Sequence, residues 1–161
     1  MNGIFSRFFP SKEPSYGEVL PREARQIAAL HAASFQRGWS ENEIERLLVE
    51  RNVLAHRATI GGTLAGFIMS RIAADEAEIL SVAVARAQRG RGLARALLRL
   101  HLGRLAGLGV RGVFLEVGED NEAARRLYEH AGFEEVGRRE AYYAHGAVGN
   151  AAALVLRRDL A

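Results

Sequence analysis

Glu116 is the first candidate for a catalytic residue, because it is a carboxylate within the apolar run VFLEV, residues 113–117. Burying a charged carboxylate costs free energy unless the group is solvated or paired. Side chains alternate along a strand, so Glu116 shares a face with Phe114, and Leu115 and Val117 take the other face. Two interpretations remain open from the pattern: a general base, or a glutamate at a strand end that faces water.

Tyr128 follows near the end of a segment with helical spacing. A tyrosine hydroxyl has an ordinary pKa of about 10, which suits it to protonate a departing anion. The alternative is a tyrosine of the hydrophobic core, which the residues by themselves favour.

A second candidate site is the segment RGRGLAR, residues 89–95, between a predicted strand and a predicted helix. Glycine and alanine there let backbone N–H groups approach a ligand closely. The positive end of the helix dipole favours an anion, so the segment predicts a phosphate or pyrophosphate site. The alternative is a tight turn with solvated arginines. A Rossmann fingerprint fits poorly because Arg95 stands where a third glycine is needed, and a P-loop is excluded because no lysine follows the glycines.

The region around this segment is strongly basic. Between Glu78 and Glu116 the sequence has no acid and seven arginines. They are Arg86, Arg89, Arg91, Arg95, Arg99, Arg104 and Arg111. Such a field attracts a polyanion. The net charge of the whole chain is only +3, which does not by itself argue for a nucleic-acid partner.

The elements that must position these residues follow a mixed α/β order: a strand, two helices, three strands, a helix, a strand, a helix and two strands. The predicted strands cover residues 16–20, 54–60, 64–72, 78–84, 113–117, 135–143 and 151–158. The predicted helices cover residues 22–35, 40–50, 92–108 and 121–131. Ser40 with Glu43 forms a capping box, Gly61-Gly62 a hairpin turn, Asn121 a helix cap and Gly132 a helix stop. We expect one domain over residues 16–161, after a flexible extension over residues 1–15.

Composition excludes several classes of protein. The 161 residues include no cysteine, so disulfides, thiolate metal sites and cysteine nucleophiles are absent. The five histidines lack a metal-binding spacing, and no metal is expected. No apolar run approaches the roughly 18 residues of a membrane span, and we expect a cytoplasmic protein with no membrane partner.

The residues resemble the GNAT family of N-acetyltransferases in two ordered motifs. RGRGLA (89–94) is similar to the family's [Q/R]xxGx[G/A] acyl-CoA loop, and NEAARRLYEHAGF (121–133) is similar to its N-x-x-A-x-x-L-Y-x-x-x-G-F helix. The resemblance covers about residues 16–160. It implies a mostly antiparallel mixed sheet of six to seven strands, splayed at the acetyl-CoA site and flanked by about four helices.

The same resemblance implies roles for individual residues. Acetyl-CoA is the implied acetyl donor, bound by Val82, Ala83, Val84, Arg89, Gly90, Arg91, Gly92, Leu93, Ala94, Arg95 and Asn121. Direct transfer to an amine needs a base and an acid, and the implied pair is Glu116 as general base and Tyr128 as general acid. Arg99, Arg104 and Arg111 are expected at the solvated surface.

Further features resemble the RimI-type subgroup, which acetylates the N-terminal alanine of a small-subunit ribosomal protein. The spacing from Glu116 to Tyr128 matches that subgroup. The pair Tyr142-Tyr143, after Arg138-Arg139, resembles its RRxYY stretch, and the HAASFQRGWS segment (31–40) resembles its first-helix loop. The implied substrate-binding residues are Phe35, Trp39, Tyr142 and Tyr143. This chain has Ala85-Arg86 where the subgroup usually has Asp-Pro. The alternatives are a GNAT enzyme for a lysine side chain or a small amine, and a non-catalytic acyl-CoA-binding module.

Overall fold

Seven strands form one sheet within residues 13–35, 37–140 and 152–160, which are the residues that the computed structural model describes. The strands are β1 (Pro14–Glu18), β2 (Val53–Ile60), β3 (Thr63–Ala73), β4 (Glu76–Val84), β5 (Gly112–Gly118), β6 (Glu134–Arg139) and β7 (Ala153–Asp159). The helices are α1 (Ala24–Ser34), α2 (Glu41–Val49), α3 (Leu93–Gly107) and α4 (Glu122–His130). The order of elements and the mixed α/β class are as predicted.

The sheet has the order β1-β2-β3-β4-β5-β7-β6 and divides at its centre. β4 and β5 run parallel, and their pairing covers only Glu76–Glu78 against Gly112–Phe114. Beyond that point each strand pairs only with its other neighbour. β4 pairs with β3 as far as Val84, and β5 pairs with β7 as far as Gly118. The two strands therefore splay apart, as the resemblance implies.

Each face of the sheet carries its own hydrophobic cluster. On one face, leucines of α3 pack with Tyr128 of α4 and with Leu115 of β5. On the other face, Ile27 of α1 and Ile44 of α2 pack against strands β2 to β4. Burial of these side chains is the main favourable term that holds the helices to the sheet. The elements thus form three layers, α1 and α2 on one side and α3 and α4 on the other.

Local signals in the sequence begin and end the elements as predicted. Ser40 Oγ accepts the Glu43 N–H at 3.2 Å and the Glu43 carboxylate accepts the Ser40 N–H at 2.7 Å, which completes the capping box of α2. Gly61 and Gly62 have φ of 58° and 80°, in the left-handed region that a tight hairpin turn between β2 and β3 requires.

Several boundaries differ from the prediction. β1 begins at Pro14, within the expected extension, because Pro14 and Ser15 pair with Ile60 and Thr59 of β2. The first helix starts with a separate 3₁₀ turn, Pro21–Glu23, and a second 3₁₀ turn, Arg86–Gln88, precedes the glycines of the 89–95 segment. Among the described residues β6 ends at Arg139 and β7 begins at Ala153, and residues 1–12 and 141–151, which include the remaining parts of these two predicted strands, lie outside the described residues.

The described helices include none long and apolar enough to cross a membrane. Within the same residues, no group of histidine and acidic side chains could hold a metal ion.

Candidate active site

The 89–95 segment presents an open backbone surface at the start of α3. Gly90 and Gly92 both have φ of 79°, and a Cβ added to either would meet nothing within 4 Å. The first hydrogen bond within α3 runs from the Ala96 N–H to the Gly92 carbonyl, at 3.0 Å. The N–H groups of Leu93, Ala94 and Arg95 therefore have no acceptor within the helix. This geometry can bind an anion.

The side chains of the segment differ in what they offer to a ligand. Leu93 is buried in the core at 3% exposure, so only its backbone faces the site. The Arg89 guanidinium donates from Nε to the Val84 carbonyl at 3.2 Å, which ties the segment to the end of β4. The Arg91 guanidinium donates to Gln88 Oε1 at 2.6 Å. Arg95 is exposed on the first turn of α3.

A groove of about 990 Å³ runs from this segment along α3 and past the end of α4. Its walls combine leucine side chains with cationic groups. The cationic groups are Arg95, Arg99 and Arg158, and His130 also lines the groove. Arg99 is exposed, as expected for a solvated side chain, and it also lines this groove.

The opening between β4 and β5 exposes the edge of β4 that carries Val82, Ala83 and Val84. These residues pair with β3 on one side, and none of them pairs with β5. Peptide groups on that free edge can bond to the amides of an extended ligand. Ser81, next to them, has a buried Oγ with no hydrogen-bond partner among the described residues.

Glu116 lies on β5, two residues beyond the last residue that pairs with β4. Leu115 and Val117 are buried against α3 and α4, so Glu116 points to the opposite face, as strand alternation predicts. Its side chain is 41% exposed, and one carboxylate oxygen accepts a bond from Nη2 of Arg139 at 2.8 Å. The carboxylate thus faces water and is paired. Arg139 reaches Glu116 from β6 and was not among the residues predicted for the site.

Tyr128 is a core residue that also retains a proton to donate. The side chain is 7% exposed, and its ring packs edge-on against Phe133 with the centroids 5.5 Å apart. Burial raises the pKa of Tyr128 to about 12, so the hydroxyl is protonated at neutral pH. No described residue hydrogen-bonds to that hydroxyl.

Asn121 caps α4 as predicted. Its Oδ1 accepts the Ala124 N–H at 3.2 Å, which leaves the side-chain NH₂ for a ligand at the same end of the sheet.

The aromatic residues expected at the substrate site are partly described. Phe35 is 41% exposed after α1, and Trp39 is half-buried before α2. Both pack against the buried His31, which was not among the residues predicted for the site. Tyr142 and Tyr143 lie outside the described residues.

Comparisons with known proteins find similar sequences and similar structures. The acetyltransferase (GNAT) family model matches residues 15–133. The N-alpha-acetyltransferase RimI of Mycobacterium tuberculosis is 36% identical over 149 residues, which is 89% of this chain and 90% of that protein. The crystal structure of the Escherichia coli ribosomal-protein-S18-alanine N-acetyltransferase has a TM-score of 0.83 and 26% identity, over 91% of this chain and 94% of the other.

The fold is shared more widely. Arabidopsis thaliana NAA60, solved in complex with acetyl-CoA, superposes with a TM-score of 0.80 at 19% identity, over 92% of this chain and 99% of the other. The family model covers most of the chain, and the M. tuberculosis relative is similar over nearly its whole length. The chain therefore belongs to the acetyltransferase (GNAT) family and is an N-acetyltransferase.

Proposed function

We propose that this enzyme transfers the acetyl group of acetyl-CoA directly to the N-terminal α-amine of a protein, with the alanine of a small-subunit ribosomal protein as its substrate. One observation carries the proposal: the opening between β4 and β5 has Glu116 on one face of the sheet and the anion-binding segment with Tyr128 on the other. An acceptor and a donor can therefore meet from opposite faces. The relatives named for N-terminal and S18-alanine acetylation support the choice of acceptor.

The described residues fit acetyl-CoA along its length. The open glycines of the 89–95 segment and the free N–H groups of α3 would bind the pyrophosphate, with Arg89, Arg91 and Arg95 adding charge. The free edge of Val82–Val84 would bond the amides of the pantetheine arm, and the Asn121 NH₂ would bond it from α4. When bound, acetyl-CoA supplies an acetyl group activated as a thioester.

Glu116 would act as the general base. Its carboxylate lies on the face of the sheet that carries α1 and α2, where an acceptor amine can reach it through water. The base removes a proton from the ammonium so that the nitrogen lone pair can attack. An α-amine has a pKa of about 8 against about 10.4 for lysine, so it needs less free energy to lose that proton near neutral pH. This difference favours an N-terminus over a lysine side chain.

Tyr128 would act as the general acid. The hydroxyl is protonated at neutral pH and has no described partner, so its proton is available for the departing thiolate. Phe35 and Trp39, with Tyr142 and Tyr143 by the resemblance, would form the wall against which the first residues of the acceptor lie.

The role of Glu116 is tested by Glu116→Gln, with Glu50→Gln as its matched control. Glu50 has the same exposed fraction as Glu116, 41%, and pairs at 3.3 Å with Arg71 of β3, which is separated from β5 by β4. We expect E116Q to lower kcat by roughly 10²-fold or more for an N-terminal peptide, with the acetyl-CoA Kd unchanged. E50Q should leave both unchanged. If E116Q retained the kcat of E50Q, Glu116 would not be the base.

A further inference from the structure

His31 lies at the centre of a cluster of rings between α1 and the sheet. The side chain is buried at 5% exposure. Its imidazole stacks on Trp39 with the centroids 4.4 Å apart and the planes at 12°, and it lies 4.5 Å from the Phe35 ring. The Phe67 ring of β3 is 6.4 Å away on the sheet side. The imidazole thus connects both proposed acceptor-binding aromatics to the sheet.

A hydrogen bond from Trp39 requires the imidazole of His31 to be neutral. The backbone N–H of Trp39 donates to Nδ1 of His31 at 3.0 Å. Nδ1 must therefore hold a lone pair, and the imidazole is neutral with its proton on Nε2. An imidazolium would place a second N–H against the Trp39 N–H and abolish the bond.

The chain before Trp39 is also packed directly on α1. A Cβ added to Gly38 would lie 2.8 Å from Cα of Ala32, so the backbone at Gly38 approaches the helix as closely as only glycine allows. Trp39 is thereby fixed through two neighbouring residues, by backbone contact at Gly38 and by the His31 acceptor at its own N–H.

The cluster adjoins the proposed site of transfer. Phe67 pairs with Ala83 across β3 and β4, and Ala83 belongs to the proposed pantetheine edge. Phe67 and Ala83 lie in the hydrophobic cluster on the α1 and α2 face, which is also the face of Glu116. A displacement of Trp39 would therefore alter the acceptor side of the opening and leave the 89–95 segment in place.

We propose that His31 is a positioning residue for the acceptor: its neutral imidazole holds Trp39 in the acceptor wall, and its protonation releases that wall. The inference rests on the proposed function for the identity of the acceptor, and on the described contacts for the link between His31 and Trp39.

Burial and the charges around His31 together determine the pH at which release occurs. Burial lowers the pKa of His31 below 6.5, and the carboxylate of Glu43 on α2 partly offsets this effect. Glu43 is held by the Ser40 N–H and lies near the charges of Arg37 and Arg46. His31 is therefore neutral at pH 7 and takes its proton only as the pH falls below 6.5.

Two variants separate the hydrogen bond from the ring stacking. His31→Phe keeps a planar ring and removes the acceptor, whereas His31→Asn removes the ring and keeps an acceptor near the position of Nδ1. With an Ala-Arg peptide at pH 7.5, we expect H31F to raise the peptide KM by roughly 3- to 10-fold, the range of one lost hydrogen bond. The acetyl-CoA KM should stay unchanged, and H31N should recover most of the peptide KM. An unchanged peptide KM in H31F, or equal rises for both substrates, would overturn the proposal.

Fluorescence tests the link without any catalysis, because Trp39 is the only tryptophan in the chain. As the pH is lowered from 7.5, with circular dichroism confirming a folded chain, the emission of the wild type should change in one step below pH 6.5. Neither H31F nor H31N should show that step. The same step in both variants would show that His31 does not control Trp39. If the wild type acetylates no peptide, the proposed function fails, and the titration still decides whether His31 holds Trp39.

Discussion

Gly92→Ala should weaken acetyl-CoA binding far more than its effect on stability explains. Gly92 is the N-cap of α3 with φ of 79°, and the space beyond its Cα is open for 4 Å. An L residue in the left-handed region costs roughly 1–2 kcal/mol. For a chain of this size, that cost lowers Tm by roughly 2–8 °C. An added methyl group also occupies the space that the pyrophosphate would fill. One lost charge-assisted hydrogen bond costs roughly 1.5–3 kcal/mol, so Kd should rise by about tenfold or more.

Gly62→Ala is the matched control for this change. Gly62 has φ of 80° and likewise nothing within 4 Å of an added Cβ, but it lies in the β2–β3 hairpin. Calorimetry with acetyl-CoA and thermal unfolding should be run on both variants. We expect similar losses of Tm, with a raised Kd in G92A only. An unchanged Kd in G92A, or an equal rise in G62A, would refute the assignment of the 89–95 segment to the pyrophosphate.

Two further predictions concern Tyr128 and the buried histidines. Tyr128→Phe should lower kcat by roughly 10²-fold, while the free energy of unfolding changes by less than about 0.5 kcal/mol because the hydroxyl has no described partner to lose. The control is Tyr16→Phe, on a half-buried tyrosine of β1, which should change neither kcat nor the free energy of unfolding. A normal kcat in Y128F would show that Tyr128 is not the general acid. His101 is fully buried between Ser70 Oγ (2.7 Å) and Nδ1 of His56 (2.8 Å), and burial, aided by His56, lowers the pKa of His101 from 6.5 to about 3. Between pH 6.5 and about pH 3, the unfolded chain therefore binds a proton at His101 that the folded chain does not bind. Over this range the free energy of unfolding should fall with decreasing pH, by up to roughly 1.4 kcal/mol per pH unit. Urea unfolding of the wild type and of His101→Gln at pH 7.5 and pH 5 checks this, and equal losses in both proteins would contradict it.

The order of elements could be predicted because each boundary has a local cause. The capping box at Ser40 and Glu43 and the paired glycines at Gly61-Gly62 act within a few residues of the chain. The splayed strands and the roles of Glu116 and Tyr128 came from the resemblance. From the residues alone, the environments of these two side chains stayed open between structural and chemical interpretations.

Contacts between distant segments could not be predicted. Arg139 reaches Glu116 from β6, across the intervening β7, and nothing in the sequence around either residue indicates that pair. His31 and Trp39 are close in sequence, but their contact depends on how the chain turns back after α1, with Gly38 against Ala32. The buried bond between His56 and His101 likewise joins β2 to α3 through the packing of the sheet. Each of these depends on tertiary structure.

Acetylation of defined peptides tests whether the enzyme acetylates a protein N-terminus. The wild type would be mixed with acetyl-CoA and with peptides beginning Ala-Arg, Ser-Arg and Met-Lys, or with an acetyl-blocked Ala-Lys peptide. The release of thiol would be measured, and mass spectrometry would locate the acetyl group on each product. We expect an acetyl group on the α-amine of the Ala-Arg peptide and no reaction of the blocked peptide. An acetyl group only on the lysine of the blocked peptide would contradict the proposed acceptor.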